Sequence, residues 1–121
     1  LLLPHLLVQA AMCGGATLLP LAPGSAGLRI TVILGAVGHF VFSLLETSRP
    51  HPTENGRQGA AFLSTLRLGP LRLFREGMLI GVVAAIPLVF VAPILVPAVV
   101  LGGLFLYEHA FVRAGQLPPL S

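Results

Sequence analysis

The stretch that decides the fold is GMLIGVVAAIPLVFVAPILVPAVVLGGLFLY, residues 77–107, which contains no charged side chain. As one helix it would be about 46 Å long at 1.5 Å of rise per residue, whereas the hydrocarbon core of a bilayer is about 30 Å thick. Because Pro87, Pro93 and Pro97 interrupt it, we expect two spans joined by a tight hairpin near Ala92 and Pro93. A single kinked, tilted helix is the alternative.

The rest of the chain has the same apolar character. Hydrophobic residues make up 55% of the 121 residues and charged residues 9%, and the mean hydropathy is +0.95. Soluble domains carry about a quarter charged residues, so this chain lacks the polar surface of a water-soluble protein. Its apolar runs are continuous, unlike the alternating strands of a transmembrane β-barrel. The sequence therefore predicts an all-α, polytopic transmembrane helical bundle in contact with the lipid bilayer.

We predict about four spans from these apolar runs and from the prolines and glycines that separate them. The predicted spans cover about residues 1–19, 28–46, 71–91 and 94–112. Together they form one transmembrane helical domain, 1–121. The sequence opens without an initiator Met and without the basic segment of a signal peptide, so we expect it to be part of a longer chain.

The connection between the second and third spans, residues 47–70, is rich in arginine. It contains Arg49, Arg57 and Arg67, and further arginines follow at the start of the third span. Because arginine accumulates in cytoplasmic loops, we expect this connection and the C-terminus to be cytoplasmic. The same bias explains the sequence pI near 10.6 without invoking nucleic acid as a partner.

Within this connection we predict a short helix that lies on the lipid headgroups, around Gly59 to Leu68. Its apolar side chains Phe62, Leu63 and Leu66 share one helical face, as in helices that lie in the membrane interface. We also expect an Arg72–Glu76 ion pair at i, i+4 where the third span begins.

Small residues predict close helix packing in the second half of the chain. Gly77, Gly81 and Ala85 recur at four-residue spacing, and Gly102 and Gly103 lie in the fourth span. This pattern lets helix backbones approach closely in a membrane. It indicates packing rather than chemistry.

Polar residues inside apolar spans are the main candidates for function, because burying them in a membrane is costly. On the second span, polar and small residues recur at three- and four-residue spacing and form one stripe: Thr31, Gly35, His39, Ser43 and Glu46. Such a stripe suits proton transfer or a pocket for a hydrogen-bonding head group such as a quinone. The alternative is that His39 bonds a neighbouring helix while Glu46 lies in the interface.

The fourth span ends with a second polar group, YEHAFVR, residues 107–113. His109 and Arg113 share a face at i, i+4, whereas Glu108 points elsewhere, towards a neighbouring helix. The alternative is an interfacial anchor in which Tyr107 and Arg113 reach the headgroups. The sequence thus nominates six residues for a quinone or proton pathway: His39, Ser43, Glu46, Glu108, His109 and Arg113.

Cofactor sites are sparse in this sequence. A haem held by two histidines needs both at matching depth on facing helices, and His5 and His39 are the only pair that fits. The single Cys13 rules out an internal disulfide and a cysteine-held cluster. We predict no metal site and no catalytic residue in this chain, and haem stays an alternative.

The ending EHAFVRAGQLPPLS, preceded by LFREGMLIGVVAAIPL, resembles the C-terminal part of the NrfD family, the membrane subunits of polysulfide-reductase-like complexes. The pattern TENGRQGAAFLSTLRLGPLRLFREG is similar to the loop that leads into that hairpin. The resemblance covers residues 47–121. The residues that carry it are Glu108, Arg113, Gly115, Gln116, Pro119 and Ser121.

This resemblance implies an integral membrane subunit of a quinone-linked respiratory oxidoreductase complex in a bacterial inner membrane. Such a subunit exchanges electrons between quinone or quinol, its substrate, and an iron–sulfur partner subunit. That partner in turn serves a molybdopterin enzyme or cytochrome subunits, and some relatives are thought to conduct protons. The alternative is a small haem-binding or structural membrane anchor of a respiratory complex.

Overall fold

The computed structural model describes residues 1–65 and 72–117, and within these ranges it consists of helices without strands. The α-helices are α1 (Leu2–Leu18), α2 (Ala26–Ser48), α3 (Glu54–Thr65), α4 (Arg72–Met78), α5 (Ala85–Val91) and α6 (Val96–Gln116). Short 3-10 turns, Leu19–Leu21 and Pro93–Leu95, follow α1 and precede α6, and a π-helical segment, Leu79–Ala84, joins α4 to α5.

Four helical stretches are long and apolar enough to cross a membrane: Leu2–Leu21, Ala26–Ser48, Arg72–Val91 and Pro93–Gln116. The prediction of an all-α bundle with four spans is confirmed. The third and fourth stretches meet in a hairpin at Ala92, where the backbone leaves the helical region with φ −147° and ψ 70°. A single long helix over residues 77–107 is therefore ruled out.

The second and fourth spans extend beyond their predicted limits for local reasons. The second begins at Ala26 because Ser25 caps it, and the Ser25 hydroxyl accepts a hydrogen bond from the Leu28 amide at 3.3 Å. The fourth continues to Gln116 because its last turns are packed: Ala110 and Ala114 are buried against α3. Burial on one side thus keeps α6 helical past the apolar run.

The first two helices pack closely through a glycine. A Cβ atom on Gly35 would lie 2.6 Å from Met12 Cβ and 3.0 Å from Met12 Cα, so only glycine permits this approach. The buried residues around the contact form the main core together with α5 and α6. They include Met12, Ala16, Val32, Ala36, Val89 and Val100.

The predicted close packing of the third span is confirmed, with one exception. A Cβ atom on Gly103 of α6 would lie 2.3 Å from the Gly81 Cα atom and 2.8 Å from the Gly77 carbonyl oxygen, so these backbones touch. A Cβ atom on Gly102 would have nothing within 4 Å. The prediction for Gly102 was wrong, because it lies on the outer side of α6.

The helix predicted to lie on the headgroups packs on protein instead. It begins at Glu54 rather than near Gly59, and Leu63 is 3% exposed, buried with Ala110 and Ala114 of α6. The interfacial prediction for this face was therefore wrong at Leu63, because α6 is long enough to cover it. Leu66 and Arg67 lie outside the described residues.

Two exposed ion pairs lie near the surface on this side of the bundle. The predicted pair is confirmed, with Arg72 Nη2 and Glu76 Oε1 2.9 Å apart. In α3, Arg57 Nη2 donates to Glu54 Oε1 at 2.6 Å, and Gln58 donates to the same oxygen at 2.9 Å. Hydrogen bonds from Arg57 and Gln58 lower the pKa of Glu54 to about 2.

Candidate functional site: a buried histidine–carboxylate network

The buried polar side chains of the described residues gather between α1, α2 and α6, beneath α3. His5, Gln9, His39 and Ser43 are each at most 6% exposed. His5 and Gln9 share one face of α1 at i, i+4, and His39 and Ser43 share one face of α2 in the same way. Since α1 and α2 run antiparallel with Gly35 between them, the two polar faces meet.

The centre of this network is a direct contact between two imidazole rings. His5 Nε2 lies 2.7 Å from His39 Nδ1, within hydrogen-bonding distance. The other ring nitrogen of His5, Nδ1, lies 3.0 Å from Glu46 Oε1. A proton on Nδ1 of each ring satisfies both contacts: His39 then donates to His5, and His5 donates to the Glu46 carboxylate.

Gln9 links this pair to α6. Its amide Nε2 donates to Glu108 Oε1 at 2.9 Å, and it lies 3.4 Å from both His5 Nε2 and His39 Nδ1. An amide does not release a proton near neutral pH, so Gln9 holds Glu108 beside the histidines and does not itself pass protons on. Glu108 points towards a neighbouring helix, as the sequence predicts.

Aromatic rings enclose the histidines. The Tyr107 ring meets His39 edge-on, with centroids 4.6 Å apart and planes at 80°, while Phe42 stacks on His5 at 5.6 Å. Tyr107 is 2% exposed, so its predicted alternative role as an anchor in the headgroups was wrong. The rings exclude water from this side of the histidine pair and restrict its movement.

Two buried hydroxyl groups flank the same rings. Ser43 Oγ donates to the His39 carbonyl oxygen at 2.7 Å, so it bonds the backbone rather than an imidazole. The Tyr107 hydroxyl is buried and makes no hydrogen bond of good geometry among residues 1–65 and 72–117. Ser43 is its polar neighbour, and a small movement would bring the two hydroxyl groups into contact.

The structure brings together four of the six residues nominated by the sequence, namely His39, Ser43, Glu46 and Glu108. His109 and Arg113 are exposed on the outer side of α6, and His109 stacks on Phe105 with centroids 6.3 Å apart. His109 and Arg113 therefore do not join this network, and their place in the pathway stays a prediction. The rotation of α6 that turns Tyr107 and Glu108 inwards turns these two side chains outwards.

Of the polar stripe predicted on α2, only the part from His39 to Glu46 belongs to the network. Thr31 returns its hydroxyl to the Gly27 carbonyl at 2.8 Å on the exposed side, and Gly35 is the packing point for Met12. The network therefore occupies only the half of the bundle beneath α3. His39 lies seven residues before Glu46, about 10 Å deeper along α2.

Sequence reasoning missed Gln9 and assigned His5 only to the haem alternative. The signal was present, because His5 and Gln9 are the only strongly polar side chains in the first half of an apolar helix and stand four residues apart. The two histidines do meet at matching depth. Their nitrogens are 2.7 Å apart, whereas an iron between them would need about 4 Å, given metal–nitrogen bonds of about 2 Å. In this arrangement the pair does not fit a haem.

A cavity of about 550 Å³ lies between this network and α3. The Glu46 carboxyl group, 15% exposed, connects the two, since it lines the cavity and bonds His5. The other lining residues with polar side chains are Thr47, Arg49, His51 and Asn55, and the apolar or small ones include Leu2, Gly59, Ala60, Leu63 and Phe111. Within the described ranges, no group of three or more His, Cys, Asp or Glu side chains is placed to hold a metal ion.

Comparisons with known proteins identify no protein related to this chain. A scan against protein-family models and searches of characterised proteins and of solved structures found no match to this chain.

Proposed function

We propose that this chain is part of a membrane subunit that moves protons through the network Glu46–His5–His39, as part of a quinone-linked respiratory oxidoreductase complex. The observation that carries the proposal is the unbroken line of contacts from Glu46 through His5 to His39, at 3.0 and 2.7 Å. Ionisable groups at membrane depth are costly to bury and are found where ions or protons move.

The geometry supports proton transfer because imidazole can take up a proton at one nitrogen while it releases one from the other. A proton that arrives at His39 Nε2 allows the Nδ1 proton of His39 to move to His5 Nε2. The Nδ1 proton of His5 then moves to Glu46. One proton enters and one leaves, which leaves each ring protonated on Nε2. A proton that arrives on Glu46 then runs the steps in the other direction, from Glu46 to His5 Nδ1, from His5 Nε2 to His39 Nδ1, and out from His39 Nε2, and this restores the starting state.

Glu108 extends the network across a third helix. Its carboxylate is held by Gln9, whose amide also lies 3.4 Å from each histidine nitrogen in the central contact. Two carboxylates thus flank one histidine pair, Glu46 on the α3 side and Glu108 on α6. Carboxylates are among the side chains that serve as general acids and bases in proteins.

The quinone part of the proposal rests on the resemblance of residues 47–121 to the NrfD family. Under this proposal the chain exchanges electrons between quinone or quinol and an iron–sulfur partner, which serves a molybdopterin enzyme or cytochromes. Protons released or taken up at the quinone then use the network. The arginines beside α3 and α4 favour a cytoplasmic position for this face in a bacterial inner membrane.

A structural anchor is the competing function, because the same contacts also tie α1, α2 and α6 together. Buried hydrogen bonds between membrane helices average only about 0.6 kcal/mol, so a network built for anchoring alone would tolerate replacement of an ionisable group by an amide that keeps the hydrogen bond. The haem-binding version of the anchor is disfavoured by the direct His5–His39 contact.

The experiment that tests this function is purification of the native complex in mild detergent through a tag on this chain. We expect an iron–sulfur subunit to co-purify and quinol oxidation to be measurable with an artificial electron acceptor. A chain that purifies without a redox partner and without quinol activity would contradict the quinone-linked function and favour the anchor.

A further inference from the structure

The cavity beneath α3 has no role in the network contacts described above, yet it ends on Glu46. Its volume, about 550 Å³, is far larger than the roughly 30 Å³ that one water molecule occupies in the liquid. Its rim includes exposed residues of the α2–α3 connection, Arg49 and Pro50. The cavity therefore runs from the protein surface to a carboxyl group that is bonded to the buried His5.

The polar groups around this cavity are sufficient to bind water. Water in a protein cavity needs roughly two to four polar partners, and Glu46, Thr47, Arg49 and Asn55 supply them. His51 also lines the cavity, and its Nε2 atom is buried with no hydrogen-bond partner among the described residues. This nitrogen has almost no accessible surface, so it is not counted among the groups that bind cavity water.

The helix α3 closes the cavity from outside. Its residues Gly56, Gly59 and Ala60 line the wall, and a Cβ atom on Gly59 would lie 3.4 Å from the Ala114 carbonyl oxygen of α6. Small residues on this face let α3 lie close to α6 and still leave room beneath it. A larger side chain at Ala60 would fill part of that space.

We propose that the cavity beneath α3 is a hydrated inlet that delivers protons from the aqueous phase to Glu46. This inference rests on the proposed proton path, run in the direction from Glu46 to His39, and specifies where protons enter it. Glu46 exchanges protons with cavity water on one side and with His5 Nδ1 on the other. The apolar part of the wall is formed by Leu63 and Phe111 among others.

The first test measures hydration without reference to transport. In the native complex with Cys13→Ala, single cysteines are introduced at Ala60 in the cavity wall, at Ala61 on the exposed side of α3, and at Val41, which is 46% exposed on the outer surface of α2. A charged, membrane-impermeant methanethiosulfonate reagent is added to each side of sealed vesicles in turn. We expect A60C to react at least tenfold faster than V41C and from the same side as A61C.

The second test measures whether the cavity lies on the path. Ala60→Trp fills the cavity, whereas Ala61→Trp places the same bulk on the exposed side of the same helix. Proton flux is followed with an internal pH dye in sealed vesicles that contain the complex. We expect Ala60→Trp to lower the flux at least fivefold and Ala61→Trp to leave it within twofold of the native rate.

The outcomes separate this inference from the function on which it rests. If A60C is as unreactive as V41C, the cavity is dry and the inlet is refuted, whatever the flux. If His39→Gln lowers the flux but Ala60→Trp does not, protons enter elsewhere and only the inlet is refuted. If neither substitution changes the flux, the proton path and the inlet both fail.

Discussion

Replacing Gly103 with alanine tests how closely α6 must approach α4 for the network to form. The new Cβ atom would lie 2.3 Å from the Gly81 backbone and 2.8 Å from the Gly77 carbonyl oxygen. Ordinary contacts begin at 3.4 Å, and no side chain can rotate away, so the helices must separate by about 1 Å. That movement shifts Tyr107, one turn along α6, away from His39.

The magnitude follows from comparison with the neighbouring glycine. Overpacking of a close contact costs about 1–3 kcal/mol, while alanine is favoured over glycine in a helix by about 1 kcal/mol. Gly102→Ala gains the same helix propensity, but its new Cβ atom would have no neighbouring atom within 4 Å. The two variants should therefore differ in free energy of unfolding by about 1–3 kcal/mol, which is the cost of the contact alone.

The assay is denaturant or heat unfolding in detergent, followed by reaction of Cys13, the single cysteine of these 121 residues. We expect Gly103→Ala to unfold more easily than the native protein and Gly102→Ala to match or exceed it. Equal stability of the two variants would refute backbone contact between α4 and α6. A Gly103→Ala protein that is stable but shows unchanged proton flux would refute the link between this contact and the network.

Three further predictions concern single groups. Gln9→Leu removes the donor to Glu108 and leaves a part-buried carboxylate unpaired. We therefore expect the free energy of unfolding in detergent to fall by about 1–3 kcal/mol. Gln9→Glu should restore a partner only when one of the two carboxyl groups is protonated. Tyr107→Phe removes a buried hydroxyl that makes no hydrogen bond of good geometry. It should leave the free energy of unfolding within about 0.5 kcal/mol of the native value. Tyr107→Leu should lower the free energy of unfolding, because it removes the ring contact with His39. The pKa of Glu54 is lowered to about 2 from its usual 4.5. The stability that this carboxylate gives α3 is therefore present above pH 4.5 and lost as the pH falls towards 2. A side-chain NMR titration of Glu54 should show a midpoint near 2, and Arg57→Ala should raise that midpoint.

The four spans and the hairpin were predictable because length and continuous apolarity decide them. The run 77–107 is too long for one crossing, and its prolines mark where it turns. The approach of α6 to the third span was also visible, since Gly77 and Gly81 are spaced one helical turn apart. These features depend on composition and spacing, and both are properties of the sequence alone.

The membership of the network was less predictable because it depends on helix rotation and on distance between helices. One rotation of α6 decides that Tyr107 and Glu108 face inwards while His109 faces outwards. Gly103, Ala110 and Ala114 share the face of Tyr107, but the adjacent Gly102 fits a second rotation equally well in the sequence. The His5–His39 contact likewise depends on how near α1 lies to α2. Gly35 permits that approach because Met12 packs directly against its backbone. The two imidazole nitrogens are therefore in contact, closer than the roughly 4 Å that an iron between them would need.

The most direct test of the central claim is proton flux in sealed vesicles that contain the native complex, measured for His39→Gln beside His109→Gln. Both substitutions exchange a histidine for the same amide, but His39 lies in the network and His109 is exposed on the outer side of α6. The proton path predicts a loss of at least tenfold for His39→Gln and a native rate for His109→Gln. Equal rates in a folded His39→Gln protein would contradict it.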